Sequence, residues 1–212
     1  GSQAFTYSGT ITSGLNNLTL GGTSSLTLGG TQGTLAIRSN LELGSGTTLR
    51  DGTKVVTVAG NISNSGTHYR PAGAAGRIEL AGNAVQTITG DGKGSFNNLS
   101  INKTGGSVTL SNPTTVNGNL RLVSNHRFNI GYNTLTLGSN GGVYSAATGT
   151  DQVFSANKMI VTNGLASDGG VKKIFSNTNE FVYPFGFQLG ATHYYMPAHI
   201  QFSSAPTQWG SI

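Results

Sequence analysis

The sequence predicts an all-β chain wound as a parallel β-helix, a β-solenoid, and three observations lead there. A short phrase recurs: Asn17-Leu18-Thr19-Leu20-Gly21, Ser25-Leu26-Thr27-Leu28-Gly29 and Thr134-Leu135-Thr136-Leu137-Gly138 are close copies, with Asn40-Leu41-Glu42-Leu43-Gly44 and Asn119-Leu120-Arg121-Leu122 as looser ones. A second phrase accompanies it: Val58-Ala59-Gly60-Asn61-Ile62, Leu80-Ala81-Gly82-Asn83-Ala84 and Val116-Asn117-Gly118-Asn119-Leu120. Its first two copies are separated by the length of one solenoid coil. Helical periodicity is missing, since no window carries apolar residues at i, i+3, i+4 and i+7 with good helix formers between. Short, self-similar strands at such an interval suit coils that bury their leucines against the coils above and below.

Each expected strand carries two apolar residues two positions apart, which places both on one face. In order these pairs are Phe5/Tyr7, Leu18/Leu20, Leu26/Leu28, Leu35/Ile37, Leu41/Leu43, Val56/Val58 and Ile78/Leu80. Leu99/Ile101, Val108/Leu110, Leu120/Leu122, Phe128/Ile130 and Leu135/Leu137 follow. Gly-Gly, Asn-Gly, Ser-Gly and Asp-Gly steps between them are turn chemistry. The short intervals between neighbouring pairs also suit an antiparallel sandwich. The solenoid is preferred because stacked coils set like residues over like, giving leucine ladders inside and Asn or Thr ladders at the turns, whereas a sandwich has no reason to repeat its strands. The coil is expected to be right-handed.

Composition shifts near residue 150. The first 150 residues hold seven of the aromatics and the last 62 hold ten, with three of the five prolines and both methionines. The expected division is a solenoid over 1–150 and, over 151–212, an aromatic-rich cap or the start of a following β-domain. An open coil end is an unpaired sheet edge, which such a cap would cover. Phe181, Phe185, Tyr195 and Trp209 are its expected buried residues. The chain stops just after Trp209-Gly210, which reads as a fragment of a longer protein. Ser2-Gln3-Ala4 has the small-x-small form of a cleaved signal, and Gly1-Ser2 reads alternatively as a cloning remnant; either fits export.

Charged residues make up only 9% of the chain. The polarity comes from neutral groups, 27 Thr and 20 Asn, which suit strands and turns. The net charge of +5 arises from 12 basic residues against seven acidic ones. The basic residues are scattered, with Lys172-Lys173 the one adjacent pair, so no basic face for nucleic acid is expected. No stretch reaches the roughly 20 apolar residues of a membrane-spanning helix, and no membrane insertion is expected. The absence of cysteine removes disulfides and thiolate metal sites.

The seven acids are Glu42, Asp51, Glu79, Asp91, Asp151, Asp168 and Glu180. Asp51-Gly52, Asp91-Gly92 and Asp168-Gly169 read first as turns. Glu42 and Glu79 share the polar slot of an apolar-Glu-Leu phrase, so stacked coils could bring them together as an acid–base pair; the alternative is two solvent-facing residues. No Asp-rich calcium motif and no phosphate-binding loop is present, since Gly90-Asp91-Gly92-Lys93-Gly94-Ser95 lacks the spacing and the following helix. No metal and no cofactor is expected. The most unusual loop is His68-Tyr69-Arg70-Pro71 followed by Gly73-Ala74-Ala75-Gly76-Arg77. Here His68, Tyr69, Arg70 and Arg77 form the candidate ligand site, with Tyr69 stacking on an acidic sugar and the arginines pairing its carboxylate; alternatively it is a surface loop breaking out of the coil. His126 and Arg127 repeat the pattern weakly, and His193 and His199 have no acidic neighbours in sequence.

Phe96-Asn97-Asn98-Leu99-Ser100-Ile101-Asn102, Gly106-Ser107-Val108-Thr109-Leu110 and Val116-Asn117-Gly118-Asn119-Leu120 resemble segments of large secreted surface proteins of Bacteroidota. So does the run from Asn163-Gly164 through Tyr183-Pro184-Phe185-Gly186 to Tyr195-Met196-Pro197, where the family's Phe-Pro-Val-Gly-like turn reads Tyr-Pro-Phe-Gly. The resemblance covers residues 78–205. It implies a β-helical, adhesin-like protein, extracellular or at the cell surface, exported by the type IX secretion system. The function expected is a non-catalytic structural or adhesive segment, with glycans or other surface proteins as partners and self-association open to it. The alternatives are a carbohydrate-active β-helix, acting as a polysaccharide lyase or hydrolase or as a glycan-binding module, and an ice-binding solenoid, for which the drifting threonine spacing is a poor fit.

Overall fold

The computed structural model describes residues 2–5, 14–73, 75–204, 206 and 210–211, and the side chains of all of these except 2–5 and 210–211. The described residues contain no helix, and strands from three parallel sheets alternate along the chain through about eight turns of a β-solenoid.

The first face stacks Leu18–Leu20, Leu41–Leu43, Ile62–Asn64, Gln86–Thr89, Val108–Leu110, Phe128–Gly131, Ile160–Thr162 and Phe185–Leu189. The second stacks Ser2–Phe5, Ser25–Leu28, Thr48–Arg50, Thr67–Tyr69, Ser95–Phe96, Thr114–Val116, Leu135–Leu137 and Val171–Phe175. The third stacks Thr34–Ile37, Val55–Val58, Arg77–Leu80, Leu99–Ile101, Leu120–Leu122 and Val143–Tyr144. All pairings among these strands are parallel, which rules out the sandwich.

Like sits over like inside. Leu18, Leu41, Ile62, Ile88 and Leu110 are successive register partners on the first face. On the third face, Leu35, Val56, Ile78, Leu99, Leu120 and Val143 form an unbroken ladder. Most of these side chains belong to one buried core. Leu18 and Leu20 are half-buried, because they lie on the first strand of their sheet and have a coil on one side only. The expected Phe5/Tyr7 pair lies outside the described side chains.

The corners explain the second recurrent phrase. A Cβ on Gly60 would lie 2.5 Å from the Ser39 carbonyl oxygen, and one on Gly82 would lie 2.2 Å from that of Ala59. Successive coils approach too closely there for any side chain. Beside the glycines, asparagines form ladders along the stack: Asn17 Oδ1 accepts the Asn40 N–H at 3.0 Å and Asn40 Oδ1 accepts the Asn61 N–H at 2.8 Å. A second ladder runs from Asn98 Oδ1 to the Asn119 N–H at 2.8 Å and from Asn119 Oδ1 to the Gly142 N–H at 3.3 Å.

The expected division at residue 150 does not coincide with the end of the parallel stack. The third face does stop there, at Val143–Tyr144. The coil containing residue 150 is also long: much more chain separates the register partners Phe128 and Ile160 than separates Val108 and Phe128. The other two faces continue, and Ile160 still pairs in parallel with Phe185. The reversal comes only after Leu189, well past the compositional shift. Thr192–Tyr195 runs antiparallel to Phe185–Leu189, Ala198–Ile200 antiparallel to Phe181–Tyr183, and Gly210–Ser211 antiparallel to Val171–Phe175.

Aromatic rings cluster at this end. Phe175 meets Phe181 and Phe202 edge-on at 6.1 and 4.9 Å, and Phe181 meets Tyr183 at 4.7 Å. Phe181 is buried, whereas Phe185 and Tyr195 are half-buried, and Trp209 lies outside the described residues.

Candidate functional site

The loop that carries the expected ligand residues does not assemble them into a surface site. Thr67–Tyr69 is a strand of the second face, and its alternation sends His68 inward and Tyr69 outward. His68 stands over Leu49, which stands over Leu26, so the imidazole fills a leucine slot in the core ladder. Its side chain is fully buried, so of the four candidate residues it is the one placed in the core. Nε2 lies 2.8 Å from Oδ2 of Asp51, and Nδ1 accepts the Asn97 N–H at 3.3 Å. With Nδ1 an acceptor, Nε2 carries the proton and donates it to Asp51. Asp51 opens the turn its sequence suggests, its carbonyl accepting the Lys54 N–H at 2.9 Å, while its carboxylate is buried beside His68.

The remaining three stay near the surface but point to protein partners. Tyr69 is exposed beneath the Arg50 guanidinium, 4.5 Å from its ring centre. Arg70 donates Nε–H to Asn97 Oδ1 at 2.9 Å. Arg77 is not a free cation: Nε and Nη2 each lie 3.0 Å from Glu79 Oε2, and Glu79 Oε1 accepts from Asn102 Nδ2 at 3.1 Å.

Glu42 and Glu79 are not brought together. Glu42 lies on the first face and Glu79 on the third, so each stacks with other coils' residues and never with the other. Among the remaining candidates, Arg127 donates to the Ala156 carbonyl at 2.8 Å and His126 Nδ1 lies 3.1 Å from Ser124 Oγ. Antiparallel pairing gives His199 the acidic neighbour its sequence lacks, with Nδ1 2.5 Å from Glu180 Oε1 in an exposed pair. No group of three or more potential metal ligands occurs among the described residues.

Several cations are spent on backbone carbonyls. Lys54 Nζ reaches Gly30 O at 2.5 Å, and Arg121 Nη1 reaches Ala146 O at 2.9 Å. Lys103 Nζ donates to the carbonyls of Gly82 and Ala84 and to Gln86 Oε1, at 3.0, 2.9 and 2.6 Å. Lys173 Nζ donates to the carbonyls of Gly138 and of Ser139, the latter at 2.8 Å. Burial pulls the Lys103 and Lys173 ammonium groups down to about 8. Several of the basic residues thus serve as donors built into the coil.

Lys173 is the residue the sequence reading missed. Its register partner is Leu137, which stands over Val116 in the inward row of the second face. It therefore occupies an apolar slot and is buried. At this level the third face has ended, and the gap is a cleft of about 220 Å³. Lys173, Tyr144, Gln152, Asn177, Asn179 and Glu180 are among its lining residues. The adjacent Lys172-Lys173 pair was the signal, but alternation sends one lysine out and the other in.

A second cleft, of about 350 Å³, is lined mainly by apolar residues including Val171, Phe185 and Ile200. The Tyr183 hydroxyl and Asp168 Oδ1 beside it are buried and have no hydrogen-bond partner among the described residues.

No protein-family model, no curated protein and no solved structure matches this chain.

Proposed function

We propose that this chain is a non-catalytic structural and adhesive segment of a large exported bacterial surface protein. The observation that supports the reading most is the unbroken core shared by three parallel ladders. Each coil is hydrogen-bonded to the next along its faces and again at its corners through Asn17, Asn40 and Asn61. Such a stack is a rod that resists bending, because bending would open many ladder bonds at once.

Its first face presents mostly neutral polar groups. The outward row of the first face runs Thr19, Glu42, Ser63 and Thr89, and then Thr109 and Asn129 in later coils. Hydroxyl and amide rows suit glycans or neighbouring surface proteins better than they suit a regular ice lattice, since Glu42 and Asn129 interrupt the threonines. Contacts of this kind are individually weak and gain strength from many copies along a rod. An extracellular or cell-surface location follows from the same reading.

The test is a glycan array together with a polysaccharide-degradation screen. Weak, multivalent glycan binding without product release supports the reading. Release of reducing ends or unsaturated sugars, abolished by Glu42→Gln or Glu79→Gln, would replace it with an enzyme.

A further inference from the structure

Two titratable side chains occupy inward positions of the second face: His68 over Leu49, and Lys173 over Leu137. They differ in what meets them. His68 has a carboxylate, Asp51, within 2.8 Å. Among the described residues no carboxylate stands at salt-bridge distance from Lys173, which instead meets two carbonyl oxygens and the face of the Phe181 ring, 5.4 Å from Nζ. An ammonium in an apolar slot costs stability unless something compensates it. Two carbonyls use two of its three N–H donors. Unlike Lys103, which has three protein acceptors, Lys173 stands at a cleft.

The cleft has the chemistry of a sugar site. Amides of Asn140, Gln152, Asn177 and Asn179 line it, and such groups both donate to and accept from hydroxyls. The rings of Tyr144 and Phe181 line it as well, each with a cation over one face, and add apolar surface between the amides. Other charged groups are already engaged. Glu180 on the wall faces His199, and Arg121 lies over the Tyr144 ring at 5.2 Å while donating to the Ala146 and Gly149 carbonyls. Among the lining residues of the cleft Lys173 is the one cation, and no carboxylate of the described residues stands at salt-bridge distance from it.

We propose that this cleft binds one carboxylate-bearing ring of an acidic saccharide, with Lys173 Nζ donating its third N–H to the carboxylate. The proposal rests on the adhesive reading and moves its acidic-glycan contact from the His68–Arg77 loop to the Lys173 cleft. Burial has lowered the proton affinity of this amine, and a bound carboxylate would raise it again, so the bound state takes up a proton in mildly alkaline solution.

The experiment titrates the protein with trigalacturonic acid and with neutral galactotriose by calorimetry, at about pH 7 and about pH 9.5. The acidic trimer should bind more tightly than the neutral one by about tenfold or more, the worth of one charge-assisted hydrogen bond. That preference should shrink at the higher pH and vanish in Lys173→Met. Asn179→Ala alters an exposed cleft residue and should weaken both trimers, which keeps the test decisive if Lys173→Met fails to fold by circular dichroism. Acidic-trimer binding unchanged by Asn179→Ala and by a folded Lys173→Met would overturn the cleft while leaving an adhesive rod that holds glycans elsewhere. Failure of the wild-type protein to bind the acidic trimer also overturns it, and the glycan array then decides the adhesive reading separately.

Discussion

Asn40 and Asn61 stand one coil apart, and the side-chain oxygen of the first accepts the backbone N–H of the second at 2.8 Å. Asn61 passes the bond on, accepting the Thr87 N–H through its own Oδ1 at 2.9 Å. Each residue is thus a rung whose side chain serves the coil above. Asn40→Ala should leave the Asn61 N–H without its acceptor and cost about 1–2 kcal/mol, a net hydrogen bond at a partly solvated corner. Urea unfolding checks it, with an unchanged slope expected.

Leu120 is fully buried in the middle of its ladder, whereas Leu18 is half-buried at the first coil. Leu120→Ala should cost about 2–5 kcal/mol and Leu18→Ala clearly less, because a half-exposed site leaves a smaller cavity. Equal losses in chemical denaturation would contradict the packed ladder.

Gly82 has no room for a methyl group, with the Ala59 carbonyl oxygen 2.2 Å from where its Cβ would fall. Gly33 has open space and no left-handed backbone. Gly82→Ala should lower the melting temperature sharply, and Gly33→Ala should hold or slightly raise it by restricting the unfolded chain.

Asp51 and His68 form a buried pair under the coil corner. His68→Leu restores the ladder's apolar slot but strands the Asp51 carboxylate, so it should destabilise by about 3–5 kcal/mol. Asp51→Asn added to His68→Leu should recover part of that loss. A double-mutant cycle without coupling would deny the pair its role.

Stability should rise between pH 8 and 10.5. The folded lysines 103 and 173 lose their protons near pH 8, while in the unfolded chain they hold them to 10.5. Over that window the unfolded state binds more protons, and raising the pH favours the fold. Tyr183 acts in the opposite sense at higher pH. Burial pushes its hydroxyl from 10 up to about 12, so its contribution is present below pH 10 and is lost as the pH climbs through 12. Melting temperatures across pH 7 to 12 should pass through a maximum a little above pH 10.5, and Lys103→Met should flatten the rise.

Much of the architecture was legible because it is local. Two-residue alternation put Leu41 and Leu43 on one face, recurrence put them over Leu18 and Leu20, and the Ala-Gly-Asn phrase marked corners where coils touch. Strands without a leucine pair, such as Thr67–Tyr69 and Ser95–Phe96, carried too weak an apolar pattern to be read. Composition changes near residue 150, where the third face ends, while backbone pairing, a long-range property, reverses only after Leu189. The site was illegible for the same reason. Nothing local to His68 announces that register sets it over Leu49 with Asp51 beside it, or that Lys173, rather than Lys172, turns inward where the third face ends. Sequence by itself determined the repeating apolar face, the turn chemistry and hence the solenoid. Tertiary structure decided which polar groups are buried and what they meet, because burial and electrostatic partners depend on neighbouring coils that lie far away along the chain, as Asp51 does from His68 and Gly138 from Lys173.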